Sequence, residues 1–357
     1  MNIDQLLEVS VAKRASDLHI LPGLAPMVRV DGILAPIKDA AILSADDTRQ
    51  LLFSIMTDDQ KQTFEHDLVL ELGLFNALGN FRVSIYHQMH GVAAVFRVIP
   101  QKIPSFDELE LPPVLKSLLL MTRGLILAAG PTGSGKSTSL AAMIDYINTY
   151  RICNIFTIED PIEFVYTNKR SMFNQVQVGR DAVDFANALR SSLRQDPNVI
   201  MLGELRDLET MRLALTAVET GHLVLATIHA SSAPLAVSRF ADVFPTEEKN
   251  RVRVLLSETL EAVICQRLIR KSAGGRIGVF EVMTSSSSIR HFIRQDMPAH
   301  MESAIQTSGD KGMITFEVAL NNLVQKRIIT QMIASSVLNE LKSSSDSSRS
   351  ESGNGGR

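Results

Sequence analysis

The stretch GPTGSGKSTS, residues 130–139, constrains this chain more than any other, because of what flanks it. The uninterrupted apolar run GLILAAG (124–130) leads into it, and the helical pattern KSTSLAAMIDYINTY (136–150) follows. A strand that ends in a glycine-rich turn and opens a helix is the setting in which GxxxxGK[ST] binds phosphate. Gly130, Gly133 and Gly135 let the backbone wrap an anion closely, with Pro131, Thr132 and Ser134 completing the turn. The helix N-terminus adds a positive partial charge. Lys136 suits the β/γ oxygens of a nucleoside triphosphate, the Ser137 hydroxyl suits Mg2+, and Thr138 closes the motif. ATP and Mg2+ are the expected ligands.

A phosphate loop needs a group that acts on water. In NVIMLGELRD, Glu204 stands just past the carboxyl end of an apolar strand, where ligands bind in open α/β sheets. Glu204 is expected to hold Mg2+-bound water or polarise the attacking one; the alternative is a plain ion pair with Arg206 or Arg194. A second acidic group, IEDPIEF, places Glu159, Asp160 and Glu163 after another apolar strand, with Pro161 ending it. Carboxylates so close repel, so a divalent ion or an arginine is expected nearby; the alternative is an acidic surface turn. In TGHLVLATIHA, His222 precedes a strand and His229 ends it. His229 is placed to sense the terminal phosphate or to relay strain between subunits, and His222 is a second site candidate; the alternative for each is a hydrogen-bonded structural group, the commoner role of a histidine at a strand end.

The 357 residues are more than one core usually serves. The first hundred alternate helical and strand patterns: a helix in IDQLLEVSVAKR, a hairpin turning at Asp31-Gly32, a helix capped by Ser44, and strands in NFRVSIYHQM and VAAVFRVI. PQKIPSFDELELPP then carries four prolines and reads as a stiff connector. Beyond it, the apolar strands CNIFTI, NVIML and HLVLATI alternate with helices, which predicts a parallel sheet covered on both faces. From about Phe244 the chain is mainly helical apart from AVICQRLIRK and RIGVFEVM, and the Ser/Gly-rich end is expected to be disordered.

A net charge of −3 gives no global pull toward nucleic acid, and none is expected as a partner. The two cysteines, Cys153 and Cys265, form no CxxC pair and suit a reducing cytoplasm. The N-terminus lacks the pattern of a secretory signal, and no run is apolar and long enough to span a bilayer, so membrane work would go through a partner.

Together, GPTGSGKST, IEDPIEF, GELRD and TGHLVLATIHA resemble the Walker A, Asp-box, Walker B and His-box elements of the secretion-superfamily ATPases. Within them the chain is similar to the PilT-like branch of type IV pilus retraction ATPases, from about Ile3 to Ile329. SDLHI, FANALRSSLRQDP and SAIQT (Ser303 to Thr307) share in the resemblance, and the last resembles a motif that marks retraction motors. The four-cysteine zinc element of assembly and type II secretion relatives is missing.

The resemblance implies an α/β chain: a PAS-like α+β domain (1–98), a proline-rich linker (99–113), a RecA-like P-loop ATPase domain with a helical C-terminal part (114–341), and a tail (342–357). It implies a cytoplasmic homohexamer, peripheral at the inner membrane, that hydrolyses ATP to retract pili through a platform protein, with a paralogous retraction ATPase as a further partner. An accessory PilU-like motor and a traffic ATPase of a type IV secretion or DNA-uptake system are the alternatives. The family pattern RFRVN…FR matches NFRVSIYHQMHGVAAVFR, which carries to Arg82 and Arg97 the role of approaching phosphate across a subunit interface. Three positions depart from the family pattern: Asn198 and Gly73 where acids are common, and Ser139 where threonine is common; Asn198 is expected to weaken a local ion pair and Gly73 to loosen the surface of the N-terminal domain.

Overall fold

The computed structural model describes residues 1–30, 32–99 and 102–352, and the chain divides into two units. The first is Met1–Lys102 with Pro161–Val165; the second is Ile103–Asp160 with Tyr166–Arg357.

The first unit opens with α1 (Ile3–Ala12), whose Asn2 side chain accepts from Gln5 N while Gln5 reaches back, a reciprocal cap. Strands β1 (Asp17–Ile20), β2 (Met27–Val30) and β3 (Ile33–Pro36) follow. β2 and β3 form the expected hairpin, with Val30 opposite Ile33; Asp31 of its turn lies outside the described residues. Helix α2 (Ala45–Phe53) is capped by Ser44, which accepts from Asp47 N. Helix α3 (Asp58–Asp67) and strand β4 (Val69–Asn76) come next, then the long hairpin of β5 (Gly79–Gln88) and β6 (Gly91–Ile99). All six strands pair antiparallel in the order β3-β2-β1-β6-β5-β4. β5 alternates buried and half-buried residues, so Phe81, Val83 and Ile85 join Leu6, Leu7, Phe64 and Phe96 in one core.

The second unit begins with α4 (Val114–Leu119) and β7 (Gly124–Ala129), all six residues of β7 being buried. The chain continues through α5 (Lys136–Tyr150), β8 (Asn154–Glu159), β9 (Met172–Gln177), α6 (Phe185–Ser192), β10 (Val199–Leu202), α7 (Leu208–Glu219) and β11 (Leu223–Ile228). It ends through α8 (Ala233–Asp242), α9 (Thr246–Thr259), β12 (Leu260–Arg270), β13 (Arg276–Thr284), α10 (Ser287–Arg294), α11 (Pro298–Thr307), α12 (Phe316–Gln325) and α13 (Gln331–Ser352). The sheet runs β13-β12-β7-β11-β10-β8-β9, parallel except for the β12–β13 pair. The expected parallel sheet is therefore present, and the two late strands widen it on the β7 side. Because β7 and β8 are separated by β11 and β10, the carboxyl ends of β7, β11 and β10 lie side by side. Such a reversal of strand order opens the crevice that α/β sheets use for ligands.

Two expectations change. Residues 342–352, expected in a disordered tail, continue α13 as far as Ser352; residues 353–357 lie outside the described residues. Extending a nucleated helix costs little, and no glycine or proline interrupts the chain between Gln331 and Ser352. Asn198, expected to weaken an ion pair, instead closes the ladder at the amino end of β10: its Oδ1 accepts from Asn154 N at 2.8 Å, and its own N donates to Asn154 O.

Candidate functional site

The phosphate loop is shaped by close approach to β12. A Cβ at Gly130 would stand 2.5 Å from Gln266 O and 2.6 Å from Ser134 Oγ, and φ there is +150°. At Gly135 φ is +89°, and a Cβ would meet Gln266 Nε2 at 2.9 Å. Gly135 also starts α5 without any side-chain cap, which leaves the first-turn N–H groups for another acceptor. Ser134 Oγ is buried without a hydrogen-bond partner. Lys136 Nζ donates to Gly130 O at 2.8 Å and Pro131 O at 2.9 Å, across its own loop. Ser137 is exposed on the first turn of α5. A backbone cradle, an uncapped helix and a buried unpartnered hydroxyl fit an anionic phosphate chain.

Beside the loop on the β12 side lies a cavity of about 420 Å³, reaching from Pro131 and Ser134 to Arg267, Arg270, Ile333 and Val337. Arg267 Nε faces no partner there, while its Nη1 reaches Glu340 at 3.5 Å.

On the other side, the turn after β10 carries Glu204. Its backbone is pinned to both neighbours: Gly203 N donates to Ile158 O, Leu205 N to Thr227 O, and Thr227 Oγ1 to Gly203 O at 2.5 Å. The Glu204 carboxylate accepts from Arg206 at 2.6 Å, and His229 Nε2 lies 2.9 Å from its other oxygen. Burial works to raise its pKa, but the Arg206 hydrogen bond and the charges of Arg206, His229 and Lys136 prevail and hold it below the usual value. The pairing with Arg206 expected as the plain alternative is present, and His229 joins it. Asp207, next in the same motif, caps α7 through Thr210 N.

The acidic group divides. Glu159 is the last residue of β8, buried, and its Oε1 accepts from Gln175 Nε2 at 3.2 Å. Asp160 follows in the second unit and acts electrostatically on Arg206, the nearby arginine that crowded carboxylates call for. Glu163 belongs with Pro161–Val165 in the first unit. Among the described residues no three His, Cys, Asp or Glu side chains gather as a metal-holding group. Magnesium keeps several waters and binds through one or two protein oxygens plus substrate phosphates, so Ser137 and Glu204 remain the donors that fit it.

His222 is not brought to this group. It precedes β11 at the amino end, its O accepts from Gly124 N at the start of β7, and its Nδ1 donates to Ala217 O at 2.7 Å. Six residues of strand lie between it and His229, a span of about 23 Å at the rise of a parallel strand.

In the first unit Arg82 and Arg97 face each other across β5 and β6. Arg97 bonds Asp17 at 3.0 Å and Arg82 bonds Glu71 at 3.4 Å. Arg29 reaches the other Asp17 oxygen at 3.8 Å, so one buried carboxylate organises two arginines. Gly73 lies opposite Arg82, which is why Arg82 takes the diagonal Glu71. Sequence reasoning missed Asp17, Gln266 and Arg239, whose Nη1 donates to His229 O at 2.6 Å. Asp17 lies in SDLHI, but nothing in that stretch marks it as an arginine partner, and Gln266 and Arg239 carry no motif signal; strand pairing and helix packing place all three.

The type II/IV secretion system protein family model matches residues 1–334. A Pseudomonas aeruginosa relative described as a type IV pilus retraction ATPase, PilT, is 48% identical over 93% of this chain and 96% of its own. The type IV pilus ATPase PilU of the same organism is 38% identical over 92% of this chain and 87% of its own. A crystal structure of the pilus retraction motor PilT with bound ADP superposes with a TM-score of 0.88 at 40% identity, covering 94% of this chain and 96% of that one.

Proposed function

Because the chain belongs to the type II/IV secretion system protein family, we propose that it is a motor ATPase that converts ATP hydrolysis into retraction of a type IV pilus. The near-full-length similarity to a retraction ATPase carries this reading. The greater identity to PilT than to PilU favours the principal motor over the accessory one.

In this reading the triphosphate lies along Gly130–Thr138, with its terminal phosphate toward Glu204 and His229 and its nucleoside toward the cavity beside β12. Lys136 leaves the carbonyls of its own loop for phosphate oxygens, which are stronger acceptors for an ammonium. Ser137 and Glu204 would hold Mg2+, which supplies neutralisation of charge on the phosphates. Glu204 orients the attacking water. A carboxylate held ionised is a good acceptor but a weak store for a proton, which suits a loose transition state in which positioning matters most. His229 and Arg206 aim Glu204. Arg82 and Arg97 are the groups that would reach phosphate from a neighbouring copy, with Asp17 fixing Arg97. Glu159, buried at the end of β8, serves as a supporting acid.

Six copies in a ring, acting from the cytoplasm on an inner-membrane platform protein, would pass closure from one subunit to the next. No helix among the described residues is long and apolar enough to cross a membrane. On α11, Ser303, Gln306 and Thr307 are exposed while Met301 and Ile305 are buried, so the SAIQT segment offers an outward polar face for the platform protein. The test is a gene deletion scored for surface pili, beside phosphate release from the purified protein with Mg2+ and ATP. Extra pili and loss of twitching are expected. Bald cells would reverse the direction of force, and absent phosphate release would end the ATPase reading.

A further inference from the structure

One buried acid lies outside every motif above. Glu281 sits in the middle of β13, opposite Cys265 of β12, and is 8% exposed. Its Oε1 accepts from Ala233 N at 2.7 Å, the first backbone donor of α8. Ser232 already caps this helix by accepting from Leu235 N, so Glu281 satisfies a second terminal donor from a different element. The carboxylate also meets the positive end of the helix dipole.

Helix α8 begins only four residues after His229 and is held to it twice. The chain connects them through Ala230–Ser232, and Arg239 of α8 donates to His229 O. Ala233, Ala236, Val237 and Phe240 bury the helix in the core, so it moves as a body if it moves. His229 Nε2 in turn stands 2.9 Å from the Glu204 carboxylate. An unbroken set of contacts thus runs Glu281, Ala233, α8, His229, Glu204. Helix α11, which packs on α8, bears Glu302 one residue before the SAIQT segment.

We propose that Glu281 is a positioning residue for hydrolysis: from β13 it fixes the start of α8 and thereby the placement of His229 against Glu204. The inference rests on the ATPase reading for its turnover readout alone. Burial pushes the Glu281 carboxyl up, the Ala233 N–H opposes this, and Glu302 adds to it, leaving the group at about 7. The groups facing it are few. From α11 it feels Glu302; from β12 the Cys265 thiol, itself pushed up by burial, stays neutral; from α8 comes the N–H. The residues that α12, also packed on β13, buries are Phe316, Leu320 and Leu323. Near neutrality the anchor therefore exists in two forms: an ionised carboxylate with a charge-assisted bond to α8, and a neutral acid with a weaker one.

A carboxyl raised in the folded state contributes stability in its neutral form, and that contribution is lost as pH rises through about 7, so ionised Glu281 is the destabilising form. Glu281→Gln keeps an acceptor for Ala233 N and removes the charge. It is expected to melt higher than the parent on the alkaline side of 7, while its ATP turnover stays at the parent's acid-side level and loses the rise across neutrality. Glu281→Ala removes the acceptor and is expected to lower kcat by about tenfold or more with little change in KM. In parallel, the His229 ring resonances are followed by NMR with Glu281→Gln, assigned by a His229→Gln control. A shift of those resonances is expected even in protein that releases no phosphate, so failure of the ATPase reading and failure of this one are separable. A Gln variant that is merely more stable, with parental pH profile and unmoved His229 signals, overturns the proposal.

Discussion

The two strict glycines of the phosphate loop should not be equally sensitive, and the difference can be worked from their surroundings. Gly135→Ala puts a side chain at φ +89°, a left-handed conformation that costs an L-residue about 1–2 kcal/mol. Its steric conflict is with Gln266 Nε2 at 2.9 Å, the end of a flexible side chain that can swing aside. Gly130→Ala puts a side chain at φ +150°, a region that costs about 1–3 kcal/mol. Its conflict is with Gln266 O at 2.5 Å, and that carbonyl cannot yield: it belongs to β12, whose Cys265 is paired with Ala129 at the end of β7. Relief requires parting two strands inside the sheet, an overpacking strain of about 1–3 kcal/mol more. Gly130→Ala should therefore weaken nucleotide binding by about 2–6 kcal/mol, roughly 30-fold to beyond 10,000-fold, against about 5- to 30-fold for Gly135→Ala. Titration of a fluorescent ADP analogue reads both, with thermal melting to separate loop damage from unfolding. Equal losses, or a greater loss at Gly135, would refute the claim that the β12 backbone shapes the loop.

Two further outcomes follow from the same site. Arg206→Ala removes the largest influence lowering Glu204 and leaves burial as the leading one, so the carboxyl is protonated more readily; the acid limb of kcat/KM should move to higher pH, and an unmoved limb would take Arg206 out of the site. His229→Ala should lower kcat by about 100-fold through the loss of a group aimed at Glu204, whereas His222→Ala should change melting temperature and leave turnover of the isolated protein within about threefold.

What could be read from the chain beforehand was whatever local chemistry dictates. GLILAAG followed by GPTGSGKST predicts strand, loop and helix because glycine spacing and an unbroken apolar run permit little else. Glu204 could be placed because a carboxylate right after an apolar strand must surface at the carboxyl edge. Helix α3, DDQKQTFEHD, was invisible because a single buried residue, Phe64, ties it to the core. Strands β4 and β9 were missed for the corresponding reason: each holds one buried residue, so no alternation marks them. His222 and His229 look equivalent in sequence, and only strand direction separates them. The split of IEDPIEF between units depends on where the chain leaves β8, which no residue spacing records.

Strand order also decides the charge balance that the site must keep. Glu204 feels Arg206, His229 and Lys136, and Asp160 acts on Arg206 as well. Glu204 is the less exposed partner of both its ion pairs, and its cations are the exposed ones. Cations so placed suit a polyanion arriving from solvent. In the proposed reading a terminal phosphate would compete with Glu204 for the same cations, and its departure would return them. His229 would feel that alternation, and α8 is tied to His229 through Arg239 and three residues of chain. A helix buried along Ala233, Ala236, Val237 and Phe240 would then shift as a body against the elements packed on it, of which α11 is one.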